Sequence, residues 1–534
     1  MSNLVKSVGT IGALTALSRV FGFVRDMLLA RVLGAGLAAD AWQLAFTLPN
    51  TFRRLFAEGA FSVAFVPMYT RRLGDSGDDH LSADEFASDV LGVFVWVLLG
   101  FSALCMLAMP GIVWLLAREY QEVPGKFELA VTLSRITFPY LGLVSLVAMI
   151  SGVLNARSRF APGAVVPVLL NIVLIAGILA GWYWRDNIGG GDVSVAYAQA
   201  IALAIAGAVQ LAYMWWAMRR AGVTLKVTRP KITPEVKQLL MLMAPATFGA
   251  GIYQISQLVD TFFATSLPQG SLTLLKLADR LNQMPLGIFG IALGTAILPM
   301  LARHIQADNR AEAQRLQNNA VEIAMLLCLP AAVALAICAP AFTTGIFQGG
   351  KMTGQDTAIM GNIVIALVAG LPAYVLVKVF QPAFFSRMDT RTPVFVAAGA
   401  LTFNIALNFW VVPRYGITGL AAATAITATL NVLTLVTILQ LRGWFRVTWK
   451  LLGKIARQVI ACAVMGGLLW FLTPALQPYW TGGAIERIWS LAALVAAGGV
   501  AFFVAAFMVG ALDKDLLAQL RRRRPAAEPV DLAE

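Results

Sequence analysis

Long apolar segments recur from one end of the chain to the other, and they constrain the fold more than any other feature. About fourteen of them, between residues 4 and 511, reach the roughly 20 residues that a helix needs to cross the hydrocarbon core of a membrane. Between them they leave no stretch for a soluble catalytic domain. The sequence therefore predicts an all-α polytopic membrane protein with about fourteen transmembrane helices.

Composition agrees with this prediction. Of the 534 residues, 59% are hydrophobic and 13% are charged, whereas an average soluble domain is about a quarter charged. The four cysteines all lie within apolar segments and lack metal-type spacing, so we interpret them as small core residues: Cys105, Cys328, Cys338 and Cys462. The composition excludes a water-soluble globular protein.

The net charge of +13 is distributed unevenly between alternate loops. One set of loops holds 26 lysines and arginines and the opposite set holds 6. By the positive-inside rule, the basic loops and both termini face the cytoplasm, which predicts a multi-pass protein of the inner membrane. The run Arg521 to Arg524 is then an anchor near anionic headgroups in a basic cytoplasmic tail, residues 513–534, and not a nucleic-acid site.

An internal repeat divides the chain. At an offset of about 234 residues, VRDMLLARVLG (24–34) matches LVDTFFATSLP (258–268), which superposes Asp26 on Asp260. Further on, NARSRFAPG (155–163) resembles FSRMDTRTP (385–393). Even numbers of spans per repeat predict two parallel six-helix lobes with substrate at their interface. We place the lobes at residues 1–225 and 226–445, followed by two extra transmembrane helices at 446–512.

Several cationic side chains lie within predicted spans, where an arginine at the bilayer centre costs roughly 2.5–3.5 kcal/mol. Six of them are arginines that outnumber the nearby acids, namely Arg19, Arg25, Arg31, Arg53, Arg54 and Arg280 against Asp26, Asp40, Glu58 and Asp279. The planar guanidinium fork suits bidentate phosphate binding, so the pattern predicts a phosphate-binding cavity. For Arg19 and Arg31, snorkelling from a helix end is the alternative.

A second candidate site lies in the second repeat. Asp260 has no arginine beside it, and a buried carboxylate must be protonated or must bind a cation. Asn404 and Asn408 lie on one helix face, and Thr424 follows on the next helix. These oxygens are hard ligands, so the four residues form a candidate sodium site. Proton coupling through Asp260 and interhelical hydrogen bonding are the alternatives.

Four segments resemble those of the MurJ/MviN lipid II flippase family, and the likeness runs over nearly the whole chain. They are SRVFGFVRD (18–26), AADAWQLAFTLPNTFRRLFAEGAFSVAFVP (38–67), ADR (278–280) and FSRMDTRTP (385–393). The resemblance implies the two-lobe fold of a superfamily that includes multidrug exporters and polysaccharide-lipid flippases. It also implies that the last two helices form part of a groove for a lipid tail.

The resemblance further implies which residues line the cavity. Thr273 stands where a serine is usual and keeps a hydroxyl, whereas Gln283 stands where a glutamate is common. Asp26 and Arg54 join the set through their charge. The predicted substrate-binding residues are Arg19, Arg25, Asp26, Asp40, Asn50, Arg53, Arg54, Thr273 and Arg280.

The function that the resemblance implies is flipping of lipid II, the undecaprenyl-linked peptidoglycan precursor, from the cytoplasmic to the periplasmic face by alternating access. The membrane potential supplies roughly 2.3 kcal/mol per charge per 100 mV for an exported anion. No phosphate-loop motif for ATP is present in the sequence. The expected partners are lipid II, the bilayer and cell-wall synthesis machinery, with no cofactor other than the candidate sodium ion.

Three other functions compete with this prediction. A cation-coupled drug or polysaccharide-lipid exporter shares the fold, but a cavity for organic cations favours acids over arginines. A membrane-embedded polyprenyl-phosphate enzyme needs convergent acids or histidines, and the only two histidines, His80 and His304, fall in predicted loops. A scaffold role in the cell wall is the third. The sequence therefore predicts a transporter and not an enzyme.

Overall fold

The computed structural model describes residues 2–54, 61–75 and 81–512. Within these ranges the chain is helical, with no β-strand, so the predicted all-α membrane fold is confirmed. The helices are α1 (Ser2–Leu33), α2 (Leu37–Arg53), α3 (Ser62–Asp75), α4 (Leu81–Leu116), α5 (Lys126–Thr137), α6 (Pro139–Ala156), α7 (Ala161–Ile188), α8 (Gly191–Arg220), α9 (Pro234–Thr265), α10 (Ser271–Pro285), α11 (Ile291–Gln306), α12 (Arg310–Ile337), α13 (Ala339–Phe347), α14 (Gly354–Ala369), α15 (Leu371–Phe385), α16 (Arg391–Leu441), α17 (Trp449–Ala475), α18 (Gln477–Trp480) and α19 (Ala484–Met508).

The described residues contain nine helical segments that are long and apolar enough to cross a membrane. One of them, α16, has 51 residues and contains two predicted spans, because the backbone breaks at Gly416 with φ 57°. α2 and α10 have 17 and 15 residues and are therefore too short to qualify. The count of fourteen spans stays a prediction.

Internal contacts divide the chain into two units. The first unit comprises Met1–Leu281, Ile346–Ala366 and Val394–Thr427, and the remaining segments form the second. The two units are defined by the contacts present in this conformation, whereas the predicted lobes at 1–225 and 226–445 are defined by the sequence repeat. The lobe boundaries and the separate pair of helices at 446–512 stay predictions, and the predicted tail at 513–534 lies outside the described residues.

An aromatic stack lies in the core of the first unit. Phe61, Phe65 and Tyr69 recur at intervals of four residues, which places them on one face of a helix. The ring centroids of Phe61 and Phe65 are 4.8 Å apart, and those of Phe65 and Tyr69 are 5.7 Å apart. The Tyr69 hydroxyl donates to Asp84 Oδ1 at 2.8 Å, and Arg157 pairs with the same oxygen at 2.6 Å. The stack therefore joins α3 to α4 and to the loop after α6.

The two loops that the sequence repeat pairs have the same backbone. Ser158, after α6, and Met388, after α15, have φ values of 59° and 61°, a conformation that costs a non-glycine residue about 1–2 kcal/mol. In each loop the next amide donates back five residues, from Arg159 to the Leu154 carbonyl at 2.8 Å and from Asp389 to the Phe384 carbonyl at 3.0 Å. Each helix therefore ends in the same left-handed cap.

Side chains fix the second of these loops. Asp389 accepts hydrogen bonds from Thr392 at 2.6 Å and from Arg442 at 2.5 Å. Burial raises the pKa of Asp389, but these hydrogen bonds outweigh burial and hold the pKa at about 2. The carboxylate therefore stays ionised over the physiological pH range.

The core of the second unit joins α12, α17 and α19. Buried residues of this cluster include Leu326, Met465 and Phe502. An apolar cavity of about 340 Å³ lies among the same three helices. Because α17 and α19 correspond to the two predicted extra helices, this part of the chain offers an apolar space beside them.

Pro49 interrupts the hydrogen bonding of α2. Proline has no amide hydrogen, so the Ala45 carbonyl, four residues earlier, loses its helical donor. The Thr137 hydroxyl at the end of α5 supplies the donor at 2.9 Å. Such replacement is how proline is tolerated in a membrane helix, and it fixes α2 against α5 where α2 carries candidate site residues.

Candidate functional site

A carboxylate between two guanidinium groups forms the centre of the candidate site. Arg25 Nη2 and Nε donate to Asp26 Oδ1 at 2.6 and 3.0 Å, and Arg280 Nε lies 2.8 Å from Asp26 Oδ2. The side chains of Arg25 and Asp26 are 8% and 11% exposed, whereas that of Arg280 is 44% exposed. The trio carries one net positive charge, and Arg280 is its accessible member.

Asn171 holds Arg25 in place. Its Oδ1 accepts from Arg25 Nη1 at 3.0 Å, and its Nδ2 donates to the Ser18 carbonyl at 3.0 Å. The nearest atom that a Cβ at Gly22 would meet is Asn171 Nδ2, at 3.4 Å, so α7 lies against α1 at this point. In this conformation each nitrogen of the Arg25 guanidinium donates to a protein group, and Arg280 is the more exposed guanidinium of the trio.

Asp40 and Thr273, two predicted substrate-binding residues, contact each other. Asp40 Oδ1 accepts from the Thr273 hydroxyl at 2.8 Å and from the Thr273 amide at 3.1 Å. Asp40 Oδ2 accepts from the Gly270 amide at 2.8 Å and from Lys126 Nζ at 3.0 Å. The carboxylate thus caps the positive end of α10 and neutralises a lysine that is 3% exposed.

The remaining predicted substrate-binding residues lie on α1, on α2 and just beyond the end of α2. The Asn50 amide donates to the Phe46 carbonyl of its own helix at 2.8 Å. Arg53 is half-buried at the end of α2, and Arg54 is exposed just beyond it. Arg19 is exposed on α1. Glu58, one of the predicted acidic partners, lies outside the described residues.

Two of the four candidate sodium ligands, Asn404 and Asn408, contact each other. Asn408 Nδ2 donates to Asn404 Oδ1 at 3.0 Å, and Asn404 Nδ2 donates to Thr427 Oγ1 at 3.2 Å. The Thr424 hydroxyl instead donates to the carbonyl of Leu420, one turn earlier in the same helix. Two buried oxygens, Asp260 Oδ1 and Asn408 Oδ1, have no hydrogen-bond partner in the part of the chain that the structure describes.

Those two oxygens fit a hard cation. A buried carboxylate oxygen and a buried amide oxygen that accept no hydrogen bond are uncompensated, and each is a hard donor of the kind that a cation can compensate. No cluster of three or more histidine, cysteine, aspartate or glutamate side chains that could hold a metal occurs among the described residues. This donor set therefore suits an alkali cation bound by mixed oxygens better than a transition metal.

Three polar residues at these sites had no functional role predicted from the sequence. Two of them are Asn171, on α7, and Lys126, at the start of α5. Lys276, a lysine within a predicted span, lies one turn before Arg280 on α10 and acts electrostatically on Asp260. An offset of four residues places Lys276 and Arg280 on the same helix face, which was the available sequence signal.

Comparisons with known proteins point to one family. The family described as "Lipid II flippase MurJ" matches residues 29–493. A "Probable lipid II flippase MurJ" of Rhizobium meliloti (strain 1021) is 40% identical over 534 residues, which cover 99% of this chain and 98% of the relative. One of Vibrio cholerae is 36% identical, over 96% of this chain and 98% of the relative.

Solved structures show the same fold. The structure described as "Lipid II flippase MurJ, inward closed conformation" superposes with a TM-score of 0.75 at 24% identity, covering 93% of this chain and 98% of that one. An inward-facing multidrug resistance transporter of the MATE family superposes with a TM-score of 0.65 at 13% identity, covering 80% of this chain and 94% of that one. At these identities the likeness concerns the fold alone.

Proposed function

The chain belongs to the lipid II flippase MurJ family, and from this membership we propose that it moves lipid II across the inner membrane, from the cytoplasmic to the periplasmic face. The observation that carries the proposal is the trio Arg25, Asp26 and Arg280, in which one carboxylate holds two guanidinium groups and Arg280 stays accessible. The trio has one positive charge more than its carboxylate can neutralise. Because excess charge inside a membrane protein is energetically costly, ionisable residues there usually mark a functional site.

Arg280 is the group that would bind the pyrophosphate of the substrate. Asp26 engages its Nε, so both terminal nitrogens are left to donate a bidentate pair to phosphate oxygens. Arg25 and Asn171 fix Asp26, so Arg280 is already oriented before substrate arrives. No covalent bond is formed or broken, and the family is one of transporters.

Alternating access is the mechanism we propose. Within the first unit, hydrogen bonds join segments from the two predicted lobes at the predicted periplasmic end. Thr273 contacts Asp40, the Lys351 amide donates to the Arg31 carbonyl at 2.8 Å, and Lys351 Nζ pairs with Asp192. These contacts would separate when the cavity opens outward, and closing them would return Arg280 to the cytoplasmic side.

The driving force we propose is the membrane potential, alone or with a cation gradient. Moving an anion from the negative inside to the positive outside is favourable by roughly 2.3 kcal/mol per charge per 100 mV. The apolar cavity among α12, α17 and α19 supports a place for the lipid tail, because side chains such as Leu469 and Phe502 line it. Cell-wall synthesis machinery as a protein partner stays a prediction.

Sodium is the coupling cation we propose, held by Asp260, Asn404 and Asn408. The two buried oxygens without hydrogen-bond partners support this assignment. Thr424 remains in the proposed set, although Thr427 is the hydroxyl that contacts Asn404 in this conformation. A bound cation would neutralise Asp260 and satisfy Asn408 Oδ1.

Depletion in cells tests the function directly. We expect depletion of the protein to lower the fraction of lipid II that an impermeant external probe can reach, while total lipid II stays constant or rises. Expression of the intact chain should restore that fraction. Unchanged external lipid II in fully depleted cells that contain no second flippase would contradict the proposal and would favour a drug exporter or a scaffold.

Single-cysteine labelling tests the orientation. We expect Asn187→Cys to react with an impermeant thiol reagent from outside and Thr224→Cys to react only after permeabilisation. Both side chains are exposed, and the four native cysteines are buried and should label poorly. The reverse pattern would overturn the predicted topology and with it the direction of transport.

A further inference from the structure

Lys276 lies at the same depth as Asp260 in a helical hairpin. α9 ends at Thr265 and α10 begins at Ser271, so the two helices are joined by five residues. Asp260 precedes the end of α9 by five residues, and Lys276 follows the start of α10 by five. At 1.5 Å per residue, each lies about 7.5 Å from the connection. The hairpin therefore brings an ammonium group and a carboxylate to one level.

Asp260 and Lys276 differ in the charged groups that surround them. Among the described residues, Lys276 and Asp279 are the charged groups that act electrostatically on Asp260, and Lys276 is the cation of the two. The charged groups that act on Lys276 are Asp260, Asp279, Arg280 and Arg54. Both Asp260 and Lys276 are half-buried, and Asp260 Oδ1 is itself buried without a hydrogen-bond partner among the described residues.

Lys276 lies at the level of Asp260 but, within the described part of the chain, is not held by a direct ion pair. Lys276 forms no direct ion pair with any residue that the structure describes. A direct pair would occupy the carboxylate, whereas an ammonium group nearby stabilises the carboxylate and still leaves its oxygen open to a small cation. The ammonium group of Lys276 and a cation bound to Asp260 then repel each other, because they are close together in surroundings of low dielectric constant.

We propose that Lys276 is a built-in counter-ion of Asp260 that competes with sodium for this carboxylate. When sodium binds, Lys276 is displaced from Asp260, and because Lys276 and Arg280 share one face of α10, the displacement moves the phosphate-binding arginine as well. Lys276 thereby links the cation site to the substrate site. This inference rests on the sodium site proposed above.

Sodium titration of the purified full-length chain tests the competition. Thermal unfolding is followed as sodium chloride replaces choline chloride at constant ionic strength, for the wild type, Lys276→Met, Lys276→Arg and Asp260→Asn. We expect Lys276→Met to lower the sodium concentration at half-maximal stabilisation at least about tenfold, because it removes the competing charge. Lys276→Arg should keep the wild-type midpoint, and Asp260→Asn should abolish the response.

Lys378→Met is the matched control, since Lys378 is another lysine within a predicted span and lies on α15. It should leave the sodium midpoint unchanged. A double-mutant cycle of Lys276→Met and Asp260→Asn in choline chloride should show that the shifts in Tm are not additive, because each variant removes the partner of the other.

The outcomes separate the proposals. Equal sodium midpoints for the wild type and Lys276→Met, or additive shifts in the cycle, would overturn the role of Lys276 and leave the sodium site standing. No sodium response in any variant would overturn both the site and the competition. Lipid II flipping is decided independently by the depletion assay.

Discussion

Arg280→Ala is expected to abolish lipid II flipping while leaving the chain folded. Arg280 is 44% exposed and contributes one bond to Asp26, which keeps its bonds to Arg25. Its loss therefore removes the accessible phosphate fork at little cost in stability. Arg280→Lys should restore activity only in part, because lysine keeps the charge without the bidentate geometry.

Arg25→Ala should behave differently from Arg280→Ala, because Arg25 also stabilises the folded structure. It leaves Asp26 with Arg280 as its remaining cation in the trio and removes the donor to Asn171 Oδ1, and loss of these buried hydrogen bonds costs about 1–3 kcal/mol. Flipping and Tm should fall together. Arg414→Ala is the control, because Arg414 is exposed and bonds only within its own helix. An Arg280→Ala variant with normal flipping would remove the phosphate-binding role.

Asp40→Ala is expected to give the largest loss of stability of any single substitution at these sites. Asp40 accepts four hydrogen bonds, including one from Lys126, and both side chains are 3% exposed. Alanine would leave the lysine charge buried and the first turn of α10 uncapped, so we expect a loss of about 3–5 kcal/mol in the free energy of unfolding. Thermal unfolding and membrane expression measure the effect.

A second substitution separates charge burial from capping. Asp40→Ala with Lys126→Met should recover part of the lost stability, because the uncompensated charge is removed while the amides of Gly270 and Thr273 remain uncapped. Asp186→Ala, which breaks a partly exposed pair with Arg185, should leave Tm nearly unchanged, because solvent screens exposed ion pairs. Equal stability of the Asp40→Ala and Asp186→Ala variants would contradict the anchoring role of Asp40.

Patterns within single segments made the membrane fold predictable from sequence. The length of an apolar segment and the position of charges within it depend on residues close together in the chain. Both indicated transmembrane helices that contain arginines, which are costly there and therefore point to a functional site. The family resemblance then indicated Arg25 and Arg280 as cavity residues. The structure places both on one carboxylate, Asp26, which the sequence had assigned only by its charge.

Contacts between distant segments could not be predicted in the same way. Lys126 meets Asp40 across 86 positions, and nothing near Lys126 in the sequence distinguishes it from an ordinary loop cation. Thr427 contacts Asn404 although Thr424 was predicted, because a turn of helix separates the two hydroxyls and sequence spacing does not fix the rotation of α16 beyond the break at Gly416. Contacts of this kind depend on how distant helices pack against each other, which local sequence does not determine.

The cap that Asp40 places on α10 also makes that helix a lever. Its first turn is held by two amide bonds to a carboxylate of α2, so while these bonds persist, before the cavity opens outward, α10 can tilt about a pivot near Ser271. Arg280 lies nine residues further on, about 13.5 Å along the axis. A rotation of about 20° at the pivot would carry the guanidinium about 5 Å, enough to break its 2.8 Å contact with Asp26. A small tilt about the closed end would thus separate Arg280 from Asp26 while the bonds of Asp40 to α10 are still intact.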